Sequence, residues 1–335
     1  MEPVTHALTS LAVGRAGLNK TTRLATPMLL AAGLAADLDW LSLAGGARAF
    51  FHGYRTVTHS LLGTAVIAAG VAGVFWAFGR KHPTRPVRYV RALLVCGAAA
   101  AVHLLFDLTN SYGVKLLWPF SGKWTAWDLL APIDPWLLVL LLLGLLLPGL
   151  FRLVSEEIGA RPKRRGAQRG AIVALALLLL YCGGRWVLHE RAVELLRSGL
   201  YHGVTPLLVA AFPSGASPLS WAGVVESENT LEELEVSLVP GTPFDLDVSR
   251  THFKPEPSPA LEAARKSGFA QEYLKFARFP KATVEKTPEG FRVELRDLRF
   301  TSPLHGRSGP IAVIDLNSQA QVIHEELRLA PDRGR

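Results

Sequence analysis

The sequence predicts a mainly α protein: a polytopic transmembrane helical bundle of five to six helices, followed by a smaller soluble α+β domain rich in β-strands. Three observations predict it. Long apolar runs crowd residues 1–195, basic residues gather in short stretches between those runs, and beyond residue 200 apolar residues alternate with charged ones. A hydrophobic content of 49% and a positive mean hydropathy of +0.24 fit that reading.

A bilayer core about 30 Å thick needs roughly 17 to 25 mostly apolar residues per spanning helix. Runs 25–43, 57–78, 90–110, 133–151 and 170–188 meet or approach that length. A sixth run, 4–18, is short, and fits a tight span, a half-inserted helix or an amphipathic lid. Cys96 and Cys182 lie inside apolar runs, where a free thiol behaves as a small hydrophobe. The start, Met1-Glu-Pro-Val-Thr-His6, has no cationic region or cleavage site of a secretory signal, so the helices themselves are expected to direct insertion.

Charge is divided unevenly. Residues 1–199 hold 21 Lys/Arg against 10 Asp/Glu, a net +11, whereas 200–335 hold 15 against 18, a net −3. Placed between apolar runs, the basic residues report topology and argue against nucleic acid as a partner. Loop 79–91 carries Arg80, Lys81, Arg85, Arg88 and Arg91, and loop 152–169 is equally basic, so both are expected to be cytoplasmic. Segments 44–56 and 111–132 hold only Arg48, Arg55, Lys115 and Lys123, and are expected outside. Six crossings then leave the N-terminus and the tail extracytoplasmic, on a cytoplasmic (inner) membrane protein.

Domain boundaries are expected at 1–195 for the helical part and 200–335 for the tail. In the tail, Leu231–Val239, Ala282–Lys286, Phe291–Leu295, Ile311–Leu316 and Gln321–Leu327 are strand candidates, with turns at Pro288-Glu-Gly290 and Asn317-Ser318. One helix is expected from Pro259 to about Phe279, with Ser258 as cap and Pro259 at its first position.

Ionisable groups inside apolar spans cost several kcal/mol unless they are paired or face a polar cavity. Asp37, Asp39 and Asp107 lie in or at the ends of such runs, as do His59 and His103, and His6 opens the first. The charge-derived topology puts all six near the outer surface, on four different segments, which makes them candidates for one site. His103-Leu-Leu-Phe-Asp107 places imidazole and carboxylate on one helical face, a donor set that suits a divalent metal, zinc first, with manganese or iron as alternatives. The plain readings are a hydrogen-bonded helix pair for His103 and Asp107, charges leaving the bilayer for Asp37 and Asp39, and a solvent-facing imidazole for His6. Arg55 precedes Thr58-His59-Ser60 and could fork an anion at a helix N-terminus; its plain counterpart is capping by Thr58 with a snorkelling arginine.

Thr5-His6, Asp37-Leu-Asp39, Arg55-Thr-Val-Thr58-His59-Ser60-Leu61 and His103-Leu-Leu-Phe-Asp107, followed by Gly113-Val-Lys-Leu-Leu-Trp118-Pro119, together resemble the YdjM-like family over about residues 1–150. That family consists of inner-membrane-associated proteins described as metal-dependent hydrolases, and the resemblance implies a hydrolase class without naming a substrate. Many relatives carry His before the arginine of the third motif, where this chain has Tyr54; His52, two residues earlier, is the candidate substitute.

The expected function is hydrolysis of a phosphoester or lipid-like ester at the outer membrane face. A metal held by some subset of His6, Asp37, Asp39, His59, His103 and Asp107 would activate water. Arg55 would hold the substrate anion, and Asp39 or Asp37, whichever does not ligate, would take the proton. A metal or proton transporter or sensor, and a protein whose metal only staples helices, are the alternatives. The expected partners are membrane lipids and a lipid or phosphoester substrate. Trp118, Phe120, Trp124 and Trp127, with Asp128, read as an interfacial belt or a rim guiding a headgroup. Asp134 reads as the cap of the next span, and His189, His202, His252, His305 and His324 as surface or structural.

Overall fold

The computed structural model describes residues 1–158, 165–215, 217–246, 248–301 and 309–329. Its helices are α1 (Pro3–Ala16), α2 (Ala25–Leu34), α3 (Ala47–Gly53), α4 (Leu61–Gly79), α5 (Tyr89–Thr109), α6 (Pro135–Glu157) and α7 (Gly166–Ser198), and strands then dominate the tail. A mainly α, membrane-spanning bundle followed by a β-rich domain is therefore the architecture. Five helical stretches are long and apolar enough to cross a membrane: Ala25–Gly45, Leu61–Gly79, Tyr89–Thr109, Pro135–Glu157 and Gly166–Ser198. All five coincide with the expected runs. The sixth run forms α1, whose 14 residues rise only about 21 Å, short of the bilayer core.

The chain divides into two compact units. One holds Met1–Trp40 and Arg55–Arg185, and the other Leu41–Tyr54 and Trp186–Arg335. The change of unit falls within α7, and the segment around α3 groups with the tail.

In the first unit α4 and α5 pack side by side, α2 packs on α5, and α1 lies against α2, α5 and α6. Small residues make this packing close: Ala32, Ala68, Ala72, Ala92, Ala99 and Ala100 are buried together with Met28 and Leu29. Helices in lipid gain little from apolar burial against one another, so close backbone approach has to supply the contact. Gly33 shows how tight it is, since a β-carbon there would lie 2.1 Å from Ser10 Oγ of α1. Asp134 caps α6 as expected, accepting from the Trp136 and Leu137 amides at 3.1 and 3.0 Å.

Two helices differ from the expected runs. Run 25–43 is an α-helix only to Leu34 and continues as a 3-10 helix over Ala35–Gly45. Run 57–78 becomes helical at Leu61, capped by Ser60, whose Oγ accepts from the Gly63 amide at 2.9 Å. Thr58 does not cap; it hydrogen-bonds Asp39 instead.

In the second unit, β1 (Leu208–Pro213), β2 (Ser220–Glu226), β3 (Thr230–Ser237) and β4 (Arg250–Phe253) form one antiparallel sheet in chain order. Strands β5 (Pro280–Thr287), β6 (Gly290–Asp297), β7 (Ile311–Asn317) and β8 (Val322–Arg328) form a second. The five expected strands are β3 and β5 to β8. Strands β1, β2 and β4 went unread, because β1 and β2 are continuous apolar runs without alternation and β4 is only four residues long. The expected helix from Pro259 is two helices, α8 (Pro259–Lys266) and α9 (Gly268–Phe276), because Ser267 turns the chain and caps α9. Ser258 caps α8, accepting from the Leu261 amide at 3.2 Å. A short α10 (Leu298–Thr301) follows β6. Phe51 of α3 packs among Phe269, Tyr273 and Phe276 of α9, with ring centroids 5.6 to 6.1 Å away, which explains the grouping of this loop with the tail.

Candidate metal centre

The polar residues of the bundle meet at Asp107, which is fully buried near the end of α5. Its two carboxylate oxygens have different surroundings. Oδ1 takes donors: Arg55 Nη2 at 2.8 Å, Asn110 Nδ2 at 3.1 Å and the Met1 amino group. Oδ2 has no hydrogen-bond partner of good geometry, yet His59 Nε2 and His103 Nε2 each lie 3.0 Å from it and His6 Nε2 lies 3.6 Å away.

The second nitrogen of two imidazoles explains why. His103 Nδ1 lies 2.8 Å from the Gly33 carbonyl, which can only accept, so Nδ1 carries the proton and Nε2 of the neutral ring presents a lone pair. His59 Nδ1 lies 3.0 Å from Asp39 Oδ2, and the same reasoning leaves its Nε2 with a lone pair. The two Nε2 atoms are 3.1 Å apart. Three potential ligand atoms thus face one another across edges of 3.0, 3.0 and 3.1 Å, an arrangement that a metal ion between them, or a proton on one imidazole, would satisfy. Two ligands of a tetrahedral zinc bonded at 2.0–2.1 Å are about 3.3 Å apart, so the spacing suits a metal.

His6, Asp37, His103 and Asp107 also form a compact group, with one ligand atom from each within 4.8 Å of every other. The His6 ring stacks on that of His103 with centroids 3.7 Å apart, and neither His6 nitrogen has a hydrogen-bond partner. Asp37 Oδ1 is 3.9 Å from His103 Nε2, and Asp37 Oδ2 is an orphan. A carboxylate and imidazoles buried to this degree with unspent lone pairs are costly without a cation, so the donor set fits a divalent metal.

Local structure places each group. The 3-10 stretch tightens the turn that carries Asp37 and Asp39, and such a switch inside a helix often accompanies function. The narrow α1–α2 approach at Gly33 puts its carbonyl within reach of His103. Asp39 Oδ2 accepts from the Arg55 amide at 2.6 Å and from Thr58 Oγ1 at 3.1 Å, besides orienting His59. Asp39 therefore touches the centre through His59, the carboxylate–histidine pairing that sets tautomer and ring angle at metal sites.

Arg55 is buried, with a backbone φ of 51°, and its guanidinium contacts Asp107 and, at 3.4 Å, Asn110 Oδ1. Its charge is thus directed at Asp107. Asn110 is the residue that the motifs missed: it bonds Asp107, accepts from the Tyr112 amide at 2.9 Å, and follows Asp107 by three positions, one turn along the same chain. Tyr54 stacks on Phe50 with centroids 4.6 Å apart, and His52 is exposed on α3. In the aromatic loop Phe120 is 90% exposed, and Lys115 Nζ sits 5.1 Å over the Trp124 ring. His202 and His252 pair with Glu232 and Glu233 at 3.1 and 3.0 Å, and His305 lies outside the described residues.

A family model described as YdjM inner membrane protein matches residues 1–192, which takes in every residue of this cluster. No curated protein and no solved structure matches the chain.

Proposed function

The chain belongs to the YdjM inner membrane protein family, and from that premise we propose that it is a membrane-embedded, metal-dependent hydrolase of phosphoesters or lipid-like esters. The observation that carries this reading is the unpartnered Oδ2 of Asp107 facing the lone pairs of His59 and His103. His6, His59, His103 and Asp107 would hold the ion, with zinc the best match to nitrogen and carboxylate donors. Bound there, a divalent ion supplies Lewis acidity and an acidified water.

The chain's own groups supply the rest. Arg55 and Asn110 fix Asp107 through Oδ1 and leave Oδ2 turned toward the imidazoles. Asp39 keeps His59 in the tautomer whose Nε2 faces inward. Asp37 is the more exposed of the two aspartates, with a side chain 14% accessible; its orphan Oδ2 suits it to accept a proton from water, while Asp39 Oδ1, also an orphan, is the alternative. Arg55, expected to hold the substrate anion, has its guanidinium engaged by Asp107 and so positions that carboxylate instead. The site and the tail would both face the extracytoplasmic side, following the distribution of positive charge between the loops.

Burial of most of the cluster also favours a second reading, in which the ion only staples α1, the 3-10 segment and α5 together. One experiment separates the two: full-length protein, purified in mild detergent and loaded with zinc, is screened against phosphodiesters and phospholipids. Turnover that chelation abolishes, zinc restores and Asp37→Asn reduces supports hydrolysis. Stoichiometric zinc with no turnover of any ester supports the staple.

A further inference from the structure

A second feature of the bundle, formed by α6 and α7 and independent of the metal reading, also has a ligand-like shape. An apolar trough of about 770 Å³ runs between the two helices, within the usual size range of small-molecule sites. Its floor is a seam of close contact. A β-carbon at Gly144 would lie 2.2 Å from Ala174 Cβ, and one at Gly170 would lie 2.4 Å from Pro148 Cγ, so both glycines let the backbones touch. Leucines and Phe151 of α6 and Val173 and Leu177 of α7 form the walls.

One end of the trough is polar. There the lining changes to Arg152, Ser155 and Arg169. Arg152 pairs with Glu156 at 2.8 Å, but the two side chains are 70% and 45% exposed, and so open a pair is weak enough in water to exchange for another anion.

Length identifies the occupant. The apolar stretch runs from Leu140 to Phe151 on α6, about 16 Å at 1.5 Å per residue, and the lining on α7, from Gly166 to Leu177 with Arg169 near its start, is of the same length. Half of a hydrocarbon core about 30 Å thick is about 15 Å. A groove as long as one leaflet is deep, apolar but for one cationic end, has the dimensions and polarity of a single phospholipid with an anionic headgroup. We propose that the α6–α7 trough is a selective binding site for one anionic phospholipid, its phosphate between Arg152 and Arg169 and an acyl chain along the Gly144–Gly170 seam. Basic pockets between membrane helices recognise headgroups on this principle.

Native mass spectrometry of the full-length protein in mild detergent tests the proposal, with phosphatidylglycerol and phosphatidylcholine offered together. The expected result is one phosphatidylglycerol retained per chain, preferred about tenfold or more over phosphatidylcholine. Arg152→Gln with Arg169→Gln should bring the preference close to parity without lowering the thermal midpoint, and Val173→Trp, which fills the trough, should reduce retention of both lipids. Neutralising Arg161, Lys163 and Arg164 of the neighbouring loop should leave the preference intact, and millimolar inorganic phosphate should not displace the lipid. Retention of neither lipid, equal retention of both, or a preference that survives the double variant would overturn the proposal. So would a preference lost with the loop charges alone, or competition by free phosphate.

Discussion

Asp107 and Glu232 are both acidic residues with almost no exposed surface, one in the helical unit and one in the β-rich unit. Glu232 spends both oxygens on donors: His202 Nε2 at 3.1 Å, Ser249 Oγ at 3.1 Å and Thr251 Oγ1 at 2.7 Å. Asp107 spends only Oδ1 in this way and turns Oδ2 toward imidazole lone pairs. Burial alone therefore does not mark a functional carboxylate. What distinguishes the two is whether hydrogen-bond donors account for every lone pair, and in the bundle a bound cation would complete the account.

Mutation of each carboxylate tests the contrast. Asp107→Asn should remove bound metal, measured by elemental analysis of the purified protein. It should also cost about 3–5 kcal/mol of stability, because Arg55 is left buried against a neutral amide. Metal retained at the wild-type level would remove the contrast altogether. Asp39→Asn should act less severely, weakening metal affinity about 10- to 100-fold by loosening His59, as competition with a chelator of known affinity would show. Glu232→Gln should leave metal content unchanged and lower thermal stability by about 1–3 kcal/mol through its unsatisfied partners; any loss of metal would show that the two units are not separable in this respect.

The smallest effect is expected at the tail surface. Arg292 holds Asp315 through hydrogen bonds of 2.7 and 3.1 Å and lowers its carboxyl below the ordinary value of 3.8. A carboxyl lowered in the folded state contributes stability that is complete above the unfolded value and is lost as pH falls through the folded one. Both groups are partly exposed, so the contribution is under about 1 kcal/mol. Asp315→Asn should lower stability at neutral pH by that small amount and flatten the acid side of a melting profile, the variant and wild type converging as pH falls well below about 4.

Much of the bundle was legible because lipid restricts what a sequence can contain. The five spans follow from apolar length, and Asp37, Asp39 and Asp107 attracted notice because carboxylates inside such runs need a reason. Topology from loop charge then placed six residues at one level, and four of them lie around Asp107 while Asp39 reaches it through His59. Other features depend on contacts that no motif encodes. Gly33 matters through its carbonyl, the 3-10 turn over Ala35–Gly45 has ordinary helical composition, and Arg55 reads as an anion fork until Asp107 is seen to occupy it. Asn110 could have been found as the polar residue one turn beyond Asp107. In the tail, Phe212 and Trp221 sit in strands buried on both faces, where the period-two signal vanishes. The docking of Phe51 on α9 joins residues more than 200 positions apart, beyond the reach of local pattern.

The most direct test of the centre is X-ray absorption at the zinc edge on the loaded full-length protein. The account predicts nitrogen and oxygen neighbours only, with the outer-shell scattering of at least two imidazoles, falling by one in His59→Ala. A spectrum with sulfur in the first shell, or one lacking imidazole scattering, would contradict it.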